Sequence, residues 1–135
     1  MTSRDEIAKS IRSLYAARVK GDLLGTVKDM AADATFSFNG RGIRHPAMAE
    51  ACCGKDAITA TIKEFIDAWR FEKWEERALL IDGEKAALHW TAHVTCIPTN
   101  KAETLDVVDI LTFRDGKIVE FHQSTDTALV KSLAS

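Results

Sequence analysis

In the stretch Leu105 to Glu120, LDVVDILTFRDGKIVE, a carboxylate stands where an apolar side chain is expected: Asp109 is flanked by Val107, Val108, Ile110 and Leu111. Leaving an acid ionised and unpaired in such a strand costs several kcal/mol, so it must find a donor, stay protonated, or line a cavity where it meets a ligand. Burial raises a carboxyl pKa toward neutrality, where the group can move protons as a general acid or base. Asp109 is therefore the candidate proton carrier. The bland alternative is that it accepts bonds from Tyr15, Trp90 or a buried water and only holds the strand register.

Other chemistry-bearing residues are weaker. If Phe121 points inward, period-two alternation turns Gln123 inward as well, beside Val119 and Thr125, where its amide can orient a ligand or satisfy Asp109; His122 then points out. His89 and His93 share a strand face but stand about 13 Å apart along it, too far to share a metal, and read as surface or interface residues. His45 sits in a loop and ranks low. The vicinal Cys52 and Cys53 have neither disulfide geometry nor the spacing of a zinc pair, and with Cys96 they read as reduced thiols. Neither a metal nor a nucleotide cofactor is expected, since the sequence holds no ligand cluster and no glycine-rich phosphate loop.

These residues need elements to position them. Ser3 and Glu6 form a capping-box pattern, after which Ile7, Ile11, Leu14, Tyr15 and Val19 fall on one helix face that Gly21 ends. Asp22 caps a second, shorter helix with Leu23, Leu24, Val27, Met30 and Ala31 as its stripe, followed by a short strand over Thr35 to Phe38. Asn39 to Gly54 has no periodicity and reads as a loop, of a length that suits a lid. A third helix runs from Lys55 to about Asp67.

Beyond Trp69 the period becomes two. Strands are expected at about Phe71 to Ile81, Ala86 to Ile97, Glu103 to Phe113 and Lys117 to Thr125, punctuated at Asp82-Gly83, Pro98 to Lys101 and Asp115-Gly116. Arg114 and Lys117 flank the last turn and serve hairpin geometry and solvation, while Asp126 is placed to cap a terminal Thr127 to Leu133 segment. Leu88, Trp90, Ala92 and Val94 face one side and His89, Thr91, His93 and Thr95 the other. In the next strand even the second face keeps Val108 and Ile110. Something covers that outer face, and a second subunit is the economical candidate, so a homodimer is expected.

The chain has 135 residues, 46% hydrophobic and 28% charged, enough for a single domain over 1–135. Its 18 basic and 20 acidic side chains are scattered, which leaves no footprint for nucleic acid or anionic lipid. No apolar run reaches the length of a membrane span and the N-terminus lacks the h-region of a secretory signal, so a cytoplasmic protein is expected.

The GDL at Gly21 to Leu23, AADATF at Ala31 to Phe36, GKDAI at Gly54 to Ile58 and DILTFRDGKIVEF at Asp109 to Phe121 resemble the nuclear transport factor 2-like superfamily. The closest likeness is to the branch of ketosteroid isomerases and SnoaL-like polyketide cyclases. The resemblance implies an α+β cone: a bent antiparallel sheet wrapped around three helices, with a deep pocket at the open end and dimerisation through the outer sheet face. It places the isomerase's oxyanion-hole tyrosine at Leu14 and its general-base aspartate at Phe38, neither of which can do the chemistry. Its second oxyanion-hole acid falls on Asp109. One of three survives, so classical ketosteroid isomerisation is not expected. Tyr15 lies one position along, about 100° around the helix, and reaches the pocket rim only if the helix is turned relative to its relatives.

SnoaL-like cyclases imply a strand aspartate that moves protons in an aldol-type ring closure. One expectation is thus a cofactor-independent isomerase, cyclase or lyase acting on a small hydrophobic carbonyl compound. Asp109 would be its acid/base, with Tyr15, Phe38, Trp90, Leu111 and Gln123 around the ligand. Trp69 and Trp74 are further candidates for an aromatic wall, though large aromatics more often fill cores. The alternatives are a module that binds a small molecule unchanged and a dimeric interaction domain with a vestigial cavity. A hollow of about 300 Å³ or more with Asp109 at its floor would favour the first two.

Overall fold

The computed structural model describes residues 1–39 and 52–135. Ser3 and Glu6 open helix α1 (Arg4–Lys20) reciprocally: the Glu6 N–H donates to Ser3 Oγ at 3.2 Å and the Ser3 N–H to Glu6 Oε1 at 3.3 Å. Gly21 closes the helix at φ 73°, in the left-handed region where a Cβ is penalised. Ile7, Ile11, Leu14 and Tyr15 are buried as their spacing predicts, but Val19 is 38% exposed and Arg18 takes its place. The stripe that runs 7, 11, 14, 18 keeps Arg18 on the core side and rotates Val19 off its edge.

Asp22 caps α2 (Leu23–Val27), its Oδ1 accepting from the Gly25 N–H at 3.0 Å. The helix is shorter than expected, and Met30 and Ala31 belong to strand β1 (Met30–Phe38), which begins five residues earlier than Thr35. The last strand takes up the chain before another turn can form: the Ile118 N–H donates to the Asp29 carbonyl at 2.8 Å, and Met30 pairs with Ile118. The expected 39–54 loop contains a two-residue strand, β2 (Cys52–Cys53), and 40–51 lies outside the described residues. Helix α3 (Lys55–Ala68) leads into β3 (Trp69–Asp82), β4 (Lys85–Cys96), β5 (Lys101–Arg114) and β6 (Lys117–Thr125), and α4 (Thr127–Ala134) is capped by Asp126.

The sheet order is β2-β1-β6-β5-β4-β3, antiparallel except where β1 runs parallel to β6. At the β5–β6 turn Asp115 and Gly116 have φ of 52° and 77°, the two left-handed residues of a hairpin turn whose twist matches its strands. α1 packs on β3, α3 on β1 and β3, and α4 on β4 and β5, so the helices lie against the curved sheet in an α+β arrangement. The expected inward set of β4 and β5, Leu88, Trp90, Ala92, Val94, Leu105, Val107, Asp109, Leu111 and Phe113, is buried, whereas Val108 and Ile110 are each 42% exposed; on the opposite face of β4, Thr91 and Thr95 are buried as well.

Alternation fails at the start of β6. Val119 is only half-buried and Ile118 is fully buried, because the ladder steps from Thr112–Glu120 to Phe113–Ile118 and leaves Val119 as an extra residue. Among the described residues no helix is long and apolar enough to cross a membrane.

Candidate active site

Asp109 sits in the middle of β5 with Leu88 of β4 opposite on one side and Gln123 of β6 opposite on the other. It is wholly buried. Three donors converge on it: the Trp90 indole Nε1–H reaches Oδ2 at 2.9 Å, the Gln123 amide reaches Oδ1 at 3.0 Å, and the Tyr15 hydroxyl donates to Oδ2. Gln123 Nε2 also donates to the Tyr15 oxygen at 3.2 Å, which closes the ring of contacts. Burial pushes the Asp109 pKa up to about 6, outweighing the three hydrogen bonds that favour the carboxylate. The same burial, then the negative charge of Asp109, hold the Tyr15 phenol well above its ordinary value, so at neutral pH it keeps its proton.

Tyr15 is fixed from both sides. Its ring stacks on Trp74 at 5.0 Å between centroids and 16° between planes, and meets Trp90 tilted at 5.1 Å. Trp74 lies at an irregularity in β3, where Lys73 adopts φ 52° and the pairing with β4 shifts between Glu72 and Glu75. Nothing in the local sequence marks that bulge, and Trp74, a candidate for the aromatic wall of the cavity, backs Tyr15 instead of lining it.

A cavity of about 70 Å³ opens beside this cluster. Tyr15, Gln123, Trp90 and Phe38 are in its wall, as expected, together with Leu14 and Trp69. Leu14 and Tyr15 both line it, so the tyrosine reaches the cavity alongside the position at which the resemblance placed one. Two expectations are corrected. Leu111 does not line the cavity: the β5 residues that do are Leu105 and Val107, and Leu111 lies on the far side of Asp109 from them, fully buried. Asp109 is not at the floor either but directly behind it, screened by Tyr15, Trp90 and Gln123. The hollow is also smaller than the roughly 300 Å³ of an ordinary ligand pocket, and Phe36, Phe65 and Phe121 pack against one another in its wall.

Sequence reasoning overlooked a charged group that does stand in the wall, Arg18, which is 6% exposed. The signal was there: Arg18 follows Ile11 by seven residues on the apolar stripe, a cation among aliphatics as Asp109 is an anion among them.

The histidines lie elsewhere. His89 meets Asp106 at 2.8 Å on the outer face, and His122 is exposed, its Nδ1 at 2.6 Å from Ser37 Oγ. His45 and the rest of 40–51 in the expected lid fall outside the described residues, while Asn39 exchanges hydrogen bonds of 2.8 and 3.0 Å with the Thr125 backbone. Cys53 and Cys96 are free thiols, exposed and buried respectively. Among the described residues no three His, Cys, Asp or Glu side chains converge as metal ligands.

A family model for the SnoaL-like domain matches residues 11–121. No curated protein sequence matches the chain. Among solved structures, a proposed isomerase from Bacillus subtilis superposes with a TM-score of 0.86 at 16% identity, covering 98% of this chain and 95% of that one. A proposed polyketide cyclase from Xanthomonas campestris gives 0.78 at 15% identity and 98% of both chains. An epoxide hydrolase from M. tuberculosis gives 0.74 at 15% identity, covering 96% of this chain and 90% of that one. At these identities the likeness is one of fold, the nuclear transport factor 2-like cone, and it spans proteins described by three different reactions.

Proposed function

The chain belongs to the SnoaL-like domain family, and on that premise we propose that it catalyses cofactor-independent proton transfer on a small carbonyl compound. Asp109 is the ultimate base and Tyr15 the group that meets the ligand. The observation that supports this is the hydrogen bond from the Tyr15 hydroxyl, in the cavity wall, to the buried Asp109 carboxylate behind it.

A proton leaving the carbon next to the carbonyl passes to the Tyr15 oxygen as the phenol proton moves to Asp109. The electron pair left behind is delocalised onto the carbonyl oxygen as an enolate. No free phenolate forms, which matters because burial makes a phenolate costly here. Asp109, at about 6, is matched to such a task near neutral pH. Returning the proton to a different carbon is isomerisation; attack of the enolate on a second carbonyl is cyclisation.

A second reading rests on a specific observation: Asp109 is fully satisfied and lies behind the wall, as it would in a module that holds a ligand unchanged. The two readings separate in D2O. Small enolisable compounds such as butanone, cyclopentanone and 2-oxobutanoate are incubated with the protein, and loss of their α-proton signals is followed by NMR. Exchange above the buffer rate that disappears in Tyr15→Phe and in Asp109→Asn supports catalysis. Binding without exchange in the wild type overturns it in favour of the binding module.

We further propose that a second copy of the chain covers the outer sheet face at Val108 and Ile110, whose exposure supports an apolar interface.

A further inference from the structure

Among the described residues Arg18 is the only buried cation. Its guanidinium lies over the Phe71 ring, Cζ 3.9 Å from the centroid, and Nη2 donates to the carbonyls of Phe65 at 3.2 Å and Trp69 at 2.8 Å. Those two bonds use both hydrogens of Nη2. A guanidinium has five N–H donors in one plane, and the three on Nε and Nη1 have no acceptor among the described residues. No described carboxylate stands within ion-pair distance of it. Burial lowers its pKa to about 10, which still leaves it charged at neutral pH.

A buried charge is ordinarily paired, since two carbonyls and a ring face offset only part of the lost hydration. Arg18 instead forms part of the cavity wall, on the same helix as Tyr15 and one turn beyond it, with about 5–6 Å between Cβ atoms at that spacing. We propose that Arg18 is the anion-binding end of the cavity and that the compound held there is a short-chain oxo acid. Its carboxylate lies on the free edge of the guanidinium, its oxo group and acidic C–H lie toward Tyr15, and its alkyl end packs against Phe36, Leu105 and Val107. The planar fork suits a carboxylate, and the modest volume suits a ligand of few atoms. The identification of the oxo group rests on the proton-transfer reading above; the carboxylate site does not.

The test compares 2-oxobutanoate with its neutral counterpart 2-oxobutanamide, titrated into the full chain and followed by the Trp indole N–H signals. The wild type is expected to bind the acid about 10-fold or more tightly than the amide, the ratio a hydrogen-bonded charge supplies. Arg18→Met, which keeps the length of the stem, is expected to bring the two affinities together, and Arg18→Lys to retain part of the preference. Equal affinities in the wild type, or a preference that survives Arg18→Met, overturn the proposal. Because Arg18 also ties α1 to the carbonyls at the α3–β3 junction, Arg18→Met can fail to fold, and the wild-type comparison alone then decides. Deuterium exchange at C3 of 2-oxobutanoate is read in the same samples. Preference for the acid without exchange sustains the Arg18 site and sinks proton transfer, whereas exchange without preference sinks the Arg18 site alone.

Discussion

The hydroxyl of Tyr15 on α1 donates to the carboxylate of Asp109 on β5, 94 residues away, and this bond joins the helical layer to the centre of the sheet at the wall of the cavity. Its two partners have different exposures to a ligand. Tyr15 can touch one; in the proposed proton transfer Asp109 acts through it.

Replacing the acid tests what that burial costs. Asp109→Asn keeps the shape, and its carbonyl still accepts from Trp90 and Tyr15, while the Gln123 amide can turn to accept from the new NH2 group. Asp109→Ala leaves three buried donors unpaired and should destabilise by about 3 kcal/mol or more. The pH dependence follows from the raised pKa. The folded state holds its proton up to about 6, while the unfolded chain releases it near 3.8, so the contribution of Asp109 to stability is largest below about 4 and falls as pH rises through about 6. The loss is on the order of 2–3 kcal/mol and is complete above that range. Denaturant titrations of wild type and Asp109→Asn at pH 4, 5, 6 and 7 should show this fall in their difference. A difference that does not change with pH would mean Asp109 is ionised throughout.

Tyr15→Phe removes a hydroxyl that faces both the cavity and Asp109. We expect α-proton exchange to drop by about 100-fold or more, the lower range for removing a positioned acid–base group, with a stability loss of about 1 kcal/mol for the deleted hydrogen bond. In the wild type, exchange should rise with pH through about 6 and then level off, because the carboxylate must be free to take the proton. An exchange rate that falls over that interval would make protonated Asp109 the working form, with Tyr15 donating to the substrate oxygen instead.

Much of this site was legible before any coordinates. In β4, β5 and β6 the alternation of residue types turned Trp90, Asp109 and Gln123 inward and His89 and His122 outward, and a lone acid in an apolar strand announced its need for donors. What stayed hidden depends on irregularities that leave no mark in residue types. The bulge at Val119 reverses the inward set near the β5–β6 turn, the one at Lys73 is associated with Trp74 lying on Tyr15, and the helix at Leu23 ends where the sheet captures Met30. The extent of the cavity is a matter of how aromatic side chains from separate elements meet, which is why Leu111 was placed in a wall it does not reach.

Gly25 offers a test of how closely α1 and α2 approach. A Cβ at this position would overlap the Asp22 carboxylate that caps α2 and stand 2.9 Å from the Ala17 Cβ on α1. Gly25→Ala ordinarily stabilises a helix, but here it must displace the cap and spread two packed helices. A net destabilisation of about 1–3 kcal/mol is expected by thermal or denaturant unfolding. A neutral or stabilised variant would show that the helices can separate freely.

The outer face of the sheet gives the last test. Val108 and Ile110 alternate with the buried residues of β5 and point away from the helices, and each stays 42% exposed. Under a two-fold axis a single substitution enters the interface twice, so Ile110→Glu would bring two unpaired carboxylates into an apolar contact, at a cost of several kcal/mol. Sedimentation equilibrium should show a dimeric wild type and a variant whose dissociation constant is weaker by about 100-fold or more. The folded protomer should survive, because the Ile110 side chain does not belong to the core between sheet and helices. A wild type that sediments as a monomer at high concentration would leave this face uncovered and remove the dimer.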